Sequence, residues 1–372
     1  MSNVLLRGAV ISASLLRMAA TEGRVRARKK SERVTIRTVA ADAGVSVAAV
    51  SKVLRDAYGV SESLRARVKA SIEKLGYRPH AAARGMRGQT YTIGVLFADL
   101  RNPFFADIMA GINVALERTQ YQPILGISQS TVSIELALID AMVDRQMDGL
   151  ILVAPRIVGA DERAVAERVP TVVIGHHQPD ATTFDTVNND DRLGAALVVR
   201  HLAGSGYRNI AFLSLMLPDG REIEVTRQRE IGYRAAMKEA GLSTFINVVP
   251  ADQTPRETQT AVRHLLESRQ RPEALFCWTD FVALEVLSVA RDLGLDVPGD
   301  LAVVGYDNTS YCDLAQNALT SIDQSGQLLG IQAARLLIER IKGREDAEHF
   351  VVTPRLVARP SSGPKPAKAD MR

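Results

Sequence analysis

The chain has 372 residues, 46% hydrophobic and 24% charged, an ordinary soluble composition with room for two or three domains and a sizeable core. No apolar run is long enough to span a membrane, and two cysteines, Cys277 and Cys312, make neither a disulfide framework nor a metal site, so a reducing, cytoplasmic compartment and no cofactor are expected. The net charge of +4 is unevenly spread: residues 1–90 carry 18 Lys+Arg against 6 Asp+Glu, and the remainder 28 against 36. A basic N-terminal quarter on an acidic body suggests a polyanionic partner, although charge alone leaves a merely solvated surface equally open.

In chain order, residues 1–33 read as a disordered basic extension, or as an over-long start with Met18 the true one. The apolar run 9–16 is too short, and too soon followed by Arg17 and a basic stretch, for a secretion signal. Thr35 can cap a short helix whose inward face is Val39, Ala40 and Ala43, and Gly44 breaks it with a left-handed turn. Ser46 caps a second helix with Val50, Val53 and Leu54 inward. Ser61 caps a third, carrying Leu64, Val68, Ile72 and Leu75, which Gly76 ends. Two short helices on a glycine turn, braced by a longer one, make a compact DNA-reading module; a plain helical bundle fits the same pattern. In the first case the second helix enters the major groove. Val47, Ala48 and Ala49 can pack on thymine methyls, Lys52 or Arg55 can reach guanine or phosphate, and Ser46 and Ser51 can position phosphates.

The stretch Thr35-Ile36-Arg37-Thr38-Val39-Ala40, then Ala43-Gly44-Val45-Ser46 and Val50-Ser51-Lys52-Val53-Leu54, resembles the headpiece of the lactose/purine repressor (LacI/GalR) family. Ala49, Lys52 and Arg55 depart from the Thr, Arg and Asn common there, so no relative's operator is carried over. The segment from Gly76 to Gly88 resembles the family's hinge. The resemblance implies a hinge helix that forms in the minor groove, with Met86 as an apolar wedge and Arg84 on the groove or backbone. Gly85 raises the cost of that helix by about 1 kcal/mol, and a plain flexible linker is the other reading.

From Thr92 the chain alternates buried strands with amphipathic helices. Strands are expected at 93–97, 123–127, 149–153, 171–174, 210–213, 245–249, 274–278 and 301–304, and helices at 105–117, 134–145, 193–202, 230–240 and 283–293. Nine or more strands divide into two doubly wound, parallel-sheet α/β lobes, with a cleft at the strand C-terminal ends. The resemblance continues through Ile93-Gly94-Val95-Leu96, Asn102-Pro103-Phe104-Phe105, Asp148-Gly149-Leu150-Ile151 and Arg229-Glu230-Ile231-Gly232-Tyr233. Its most specific stretch is Val297 to Asn308, and it covers about residues 34–362. Val187 to Gly194 and Leu319 to Gln324 resemble its crossovers, and Thr353 to Val357 its closing strand. The implied core is periplasmic-binding-protein-like.

Motif position makes Phe105, Arg229, Gln253, Thr279 and Asp307 candidate effector contacts. Phe105 can stack on a ring, Arg229 can clamp a carboxylate or hydroxyl pair, and Asp307 can accept from hydroxyls. Gly175 stands where some relatives carry an acidic contact; His176 and His177 after it could reach the cleft, but a pair of loop histidines is more often solvated, and no third ligand is spaced to suggest a metal. An aromatic face mixed with Arg, Asp, Gln and Thr favours a sugar or derivative, with purines and nucleosides also open. A periplasmic sugar-binding protein is disfavoured by the headpiece. An enzyme is disfavoured by the lack of a Gly-rich phosphate loop, a nucleophile elbow or HExxH. The expected organisation is extension 1–33, headpiece 34–77, hinge 78–90, effector core 91–360 and disordered tail 361–372. The tail carries no leucine heptads, so a homodimer without a tail-tethered tetramer is expected. The expected function is a DNA-binding repressor whose operator affinity a small effector controls.

Overall fold

The computed structural model describes residues 34–54, 57–77, 89–215, 223–251 and 255–365. They form a small helical unit and a larger α/β unit. Four candidate residues, Arg55, Arg84, Met86 and Gln253, lie outside the described residues, as do the 1–33 extension and hinge positions 78–88.

The helical unit contains α1 (Ile36–Ala43), α2 (Val47–Leu54) and α3 (Glu62–Leu75). Thr35 Oγ1 accepts from the Thr38 amide at 3.4 Å, and Thr38 Oγ1 accepts from the Thr35 amide at 3.2 Å, a reciprocal cap. Gly44 ends α1 at φ 64, and the Val45 amide reaches back to the Ala40 carbonyl at 3.0 Å. Ser46 Oγ accepts from the Ala49 amide at 3.1 Å, and Ser61 Oγ from the Leu64 amide at 3.4 Å. Val39, Val50 and Val68 meet in a core with no solvent exposure. A polar pin ties α1 to α3: Asp42 accepts from Lys74 Nζ and Ser71 Oγ, both at 2.8 Å. These two bonds hold the Asp42 carboxyl below its ordinary range.

In the larger unit the first lobe runs β1 (Thr92–Phe97), α4 (Phe104–Leu116), β2 (Gln122–Ile127), α5 (Val132–Asp144), β3 (Gly149–Val153), α6 (Ala160–Ala166), β4 (Thr171–Ile174) and β5 (Asp185–Asn189). The chain crosses to the second lobe through α7 (Asp191–Gly204), β6 (Ile210–Leu215), α8 (Glu224–Glu239), β7 (Asn247–Ala251), α9 (Pro255–Glu267), β8 (Ala274–Cys277), α10 (Asp280–Asp292), β9 (Ala302–Asp307) and β10 (Thr320–Asp323). It returns to the first lobe with α11 (Gly326–Ile341) and β11 (His349–Val352), then crosses a third time to β12 (Arg355–Val357). The strand orders are β11-β5-β4-β3-β1-β2 and β12-β10-β9-β8-β6-β7. The described pairings are parallel except the three antiparallel residues of β12 on β10.

Strands β3, β4, β6, β8 and β9 are buried at every position, because helices cover both sheet faces; their sequences are therefore mainly apolar, with Thr171, Ser214 and Asp307 as the polar exceptions. The crossover strand β5 is equally buried yet reads Asp-Thr-Val-Asn-Asn. Arg340 Nε and Arg344 Nη2 donate to Asp185 at 2.9 and 2.6 Å, which is how a carboxylate is tolerated at the start of that strand. Helices α4 and α11 cross closely: a Cβ on Gly330 would lie 2.0 Å from the Ile108 carbonyl oxygen.

One expectation is corrected. The chain is not disordered from residue 361, because residues 361–365 are tied into the second lobe. Ser361 Oγ donates to the Val303 carbonyl at 2.6 Å and accepts from the Thr320 amide at 2.8 Å. The Lys365 amide donates to the Ser205 carbonyl at 2.9 Å. A polar, proline-rich segment can order itself when each polar group finds a backbone partner. No helix among the described residues is long and apolar enough to cross a membrane.

Candidate functional site

In the helical unit, α2 presents two faces. Val50 and Val53 are buried, whereas Val47 is 41% exposed and Ala48 and Lys52 are open to solvent. Helical spacing puts Val47 with Ser51, and Ala48 with Lys52, on one strip. Ala49 and Ser51 are half-buried, and Thr35 and Ser46 are exposed caps at the starts of α1 and α2.

In the α/β unit the C-terminal ends of the strands from both lobes enclose a cavity of about 160 Å³. Both sheets reverse their order there, between β1 and β3 and between β6 and β8, which is where a doubly wound sheet opens a crevice. Phe105, Arg229, Thr279 and Asp307 all border the cavity. Phe105 is half-buried, its ring tilted against Phe97 at 5.8 Å. Thr279 caps α10, its Oγ1 accepting from the Val282 amide at 3.4 Å.

Arg229 is buried and largely occupied. Its Nε donates to Asp191 at 2.8 Å, Nη1 to the Trp278 carbonyl and Nη2 to Gln324 at 3.4 Å. The guanidinium also lies 3.7 Å over the Tyr306 ring. Burial opposes ionisation of Asp191, but Arg229 and His177 overcome it and hold its carboxyl below the ordinary range. Arg229 thus acts first as a brace in the cleft wall.

Asp307 ends β9 at φ 116. One oxygen accepts from Gln324 Nε2; the other accepts from Asn102 Nδ2 at 2.7 Å. Asn102 belongs to the first lobe and Asp307 to the second, so this bond spans the cleft. Burial, and next the charge of Asp280, push Asp307 up to about 8, against the pull of Arg229, Asn102 and Gln324. Asp280 is raised as well, chiefly by burial, although Ser321, Thr309 and Cys312 donate to it.

The two histidines do not reach the cavity. His176 is buried against Glu162, with its other ring nitrogen 3.0 Å from the Pro155 carbonyl oxygen. His177 Nε2 lies 2.8 Å from Asp191. Buried carboxylates draw both rings away, and only Gly175 borders the cleft. Among the described residues no three His, Cys, Asp or Glu side chains are placed to hold a metal.

Two family models match the chain: the bacterial regulatory proteins of the lacI family over residues 35–80, and a periplasmic binding protein-like domain over 199–362. Catabolite control protein A of Priestia megaterium is 35% identical over 307 residues, spanning 82% of this chain and 91% of the relative. The chain belongs to the LacI family. The HTH-type transcriptional repressor PurR of Pectobacterium atrosepticum is 32% identical over 334 residues, covering 88% of this chain and 96% of its own. Among solved structures, a complex of the transcriptional regulator CelR with cellobiose is 29% identical at a TM-score of 0.64, covering 88% of this chain and 100% of that one. This LacI-family chain is therefore a DNA-binding transcriptional regulator with an effector-binding core, and its fold is the one expected.

Sequence reasoning did not single out Asn189, Asp191 or Trp278, which also border the cleft of this LacI-family core. Trp278 follows directly on β8, so the rule that ligands gather at strand C-terminal ends would have found it. Asn189 and Asp191 flank the first crossing, where polar residues carry no periodic signal.

Proposed function

We propose that this regulator is a repressor, acting in the cytoplasm, that reads operator DNA as a homodimer through α2 and responds to a sugar or sugar derivative held between its lobes. The observation that carries the reading is the exposed start of α2. Apolar Val47 and Ala48 stand open in a helix whose other face is packed, and thymine methyls are the groups they suit. Ala49 borders that contact. Lys52 and Arg55 supply guanine or phosphate contacts, and Thr35, Ser46 and Ser51 position the backbone. On the same reading Arg84 and Met86 act in the minor groove beside the duplex centre.

A sugar is supported by the company in the cleft: the Phe105 ring, Arg229, Thr279 and Asp307. CelR, the relative solved with cellobiose, supports it too. Arg229 pairs with Asp191 in the cleft wall, and Asp307 is held by the neutral side chains of Asn102 and Gln324, an arrangement that suits a binding site. The homodimer reading is supported by the edge strand β2, where Ile124, Leu125 and Ile127 are 44, 47 and 41% exposed. Two headpieces then meet a near-palindromic site. Effector moves the lobes, and linkage requires effector and operator to shift each other's affinity equally.

The test is selection from random duplex DNA at physiological salt, with and without a metabolite mixture. Enrichment of one palindrome is expected. No enrichment under either condition overturns the reading, and unchanged operator affinity at effector saturation overturns the allosteric part.

A further inference from the structure

We infer that Asn189 and Trp278 are the polar contacts that take up a hydroxyl-rich effector and draw the two lobes onto it. The inference rests on the sugar reading above and deepens it. Asn189 ends β5 in the first lobe and is 4% exposed, yet neither its Nδ2 nor its Oδ1 has a hydrogen-bond partner. Trp278 follows β8 in the second lobe, and its Nε1 is likewise buried without a partner. Both residues border the cavity. Other polar side chains of the cleft are answered: Asp307 by Asn102 and Gln324, Asp191 by Arg229 and His177. Buried polar groups in native proteins are almost always satisfied, so two unanswered ones on opposite walls of one cavity mark where an occupant completes the structure.

The atoms dictate the occupant's chemistry. Asn189 offers a donor and an acceptor side by side, and Trp278 a donor alone. A carboxylate or phosphate group has only acceptors when ionised and would leave Asn189 Oδ1 unmet. Adjacent hydroxyls, each donor and acceptor, meet both ends of the amide, and a further ring oxygen or hydroxyl takes the indole N–H. The lactam edge of a nucleobase can also match the amide, so a base is the competing outcome. An occupant that satisfies Asn189 and Trp278 together must touch both lobes, which ties occupancy to their approach.

The test is isothermal titration calorimetry of wild type, Asn189→Leu, Asn189→Asp and Trp278→Phe with D-glucose, D-ribose, cellobiose and hypoxanthine, with thermal melts to verify folding. A sugar is expected to bind the wild type, with each variant at least tenfold weaker. A deoxy analogue lacking the hydroxyl at Asn189 is expected to lose tenfold on the wild type and nothing on Asn189→Leu, a pattern that a purely structural asparagine cannot give. A sugar that binds all variants as tightly as the wild type overturns the assignment and leaves the sugar reading standing. Binding of hypoxanthine alone, or of no sugar, overturns the sugar reading itself.

Discussion

At Asp307 the chain leaves β9 in a left-handed conformation, and the carboxyl is sealed between the lobes. Its proton stays on up to about pH 8 in the native state and leaves near 3.8 in the unfolded chain. Between those values the native state binds more protons, so this contribution to stability is complete below the lower one and drains away as pH rises through the upper. The melting temperature of the wild type is expected to fall from about pH 5 to 8 more steeply than that of Asp307→Asn, which cannot titrate there. Parallel profiles would show that Asp307 ionises normally. Arg229 makes the opposite case, a charge kept by its partner. Arg229→Met strands the Asp191 carboxylate in a buried wall, and a loss of about 3–5 kcal/mol is expected in urea unfolding. Adding Asp191→Asn should recover most of it, and no recovery would mean that packing on Tyr306 is what Arg229 supplies.

Among elements, the crossing of α4 and α11 is the least forgiving. Gly330→Ala sets a methyl carbon 2.0 Å from a backbone oxygen that no rotamer change can move. A loss of about 1–3 kcal/mol is expected from thermal or urea melts, and a neutral result would mean that α11 can slide. The headpiece was legible because its signals are local: Thr35, Gly44, Ser46, Ser61 and Gly76 act within a few residues of themselves. The buried strands β3, β4, β8 and β9 were legible as apolar runs. Strands β5 and β11 were not, because distant partners make their polar residues fit. The Thr186 hydroxyl meets His349 Nδ1 at 2.8 Å across 163 positions. Helix α8 starts at Glu224, six residues before the expected Glu230, since its first turns are polar and hide the 3.6-residue period. Phe105, Thr279 and Asp307 were expected from motif position, and they border the cavity. Asn189 matters for the partner it lacks, and that is visible only once its neighbours are in place.

For the molecule as a whole, the headpiece and the core must act on one equilibrium. Lys52→Ala is expected to weaken binding to every duplex by a similar factor and to lower the salt slope of binding by about one, if Lys52 meets a phosphate. A loss confined to one base position would mean that it reads guanine. Affinity for the effector should shift by the same factor when operator is added as operator affinity shifts with effector. The chain contains one tryptophan, Trp278, and it stands in the wall of the cleft. The protein therefore carries its own fluorophore at the place where an occupant arrives. Its emission reports the cleft with no tryptophan contribution from the headpiece, so a change in signal when operator duplex is added to effector-free protein is expected to report a change in the core, and one cuvette reads communication between headpiece and core without a label.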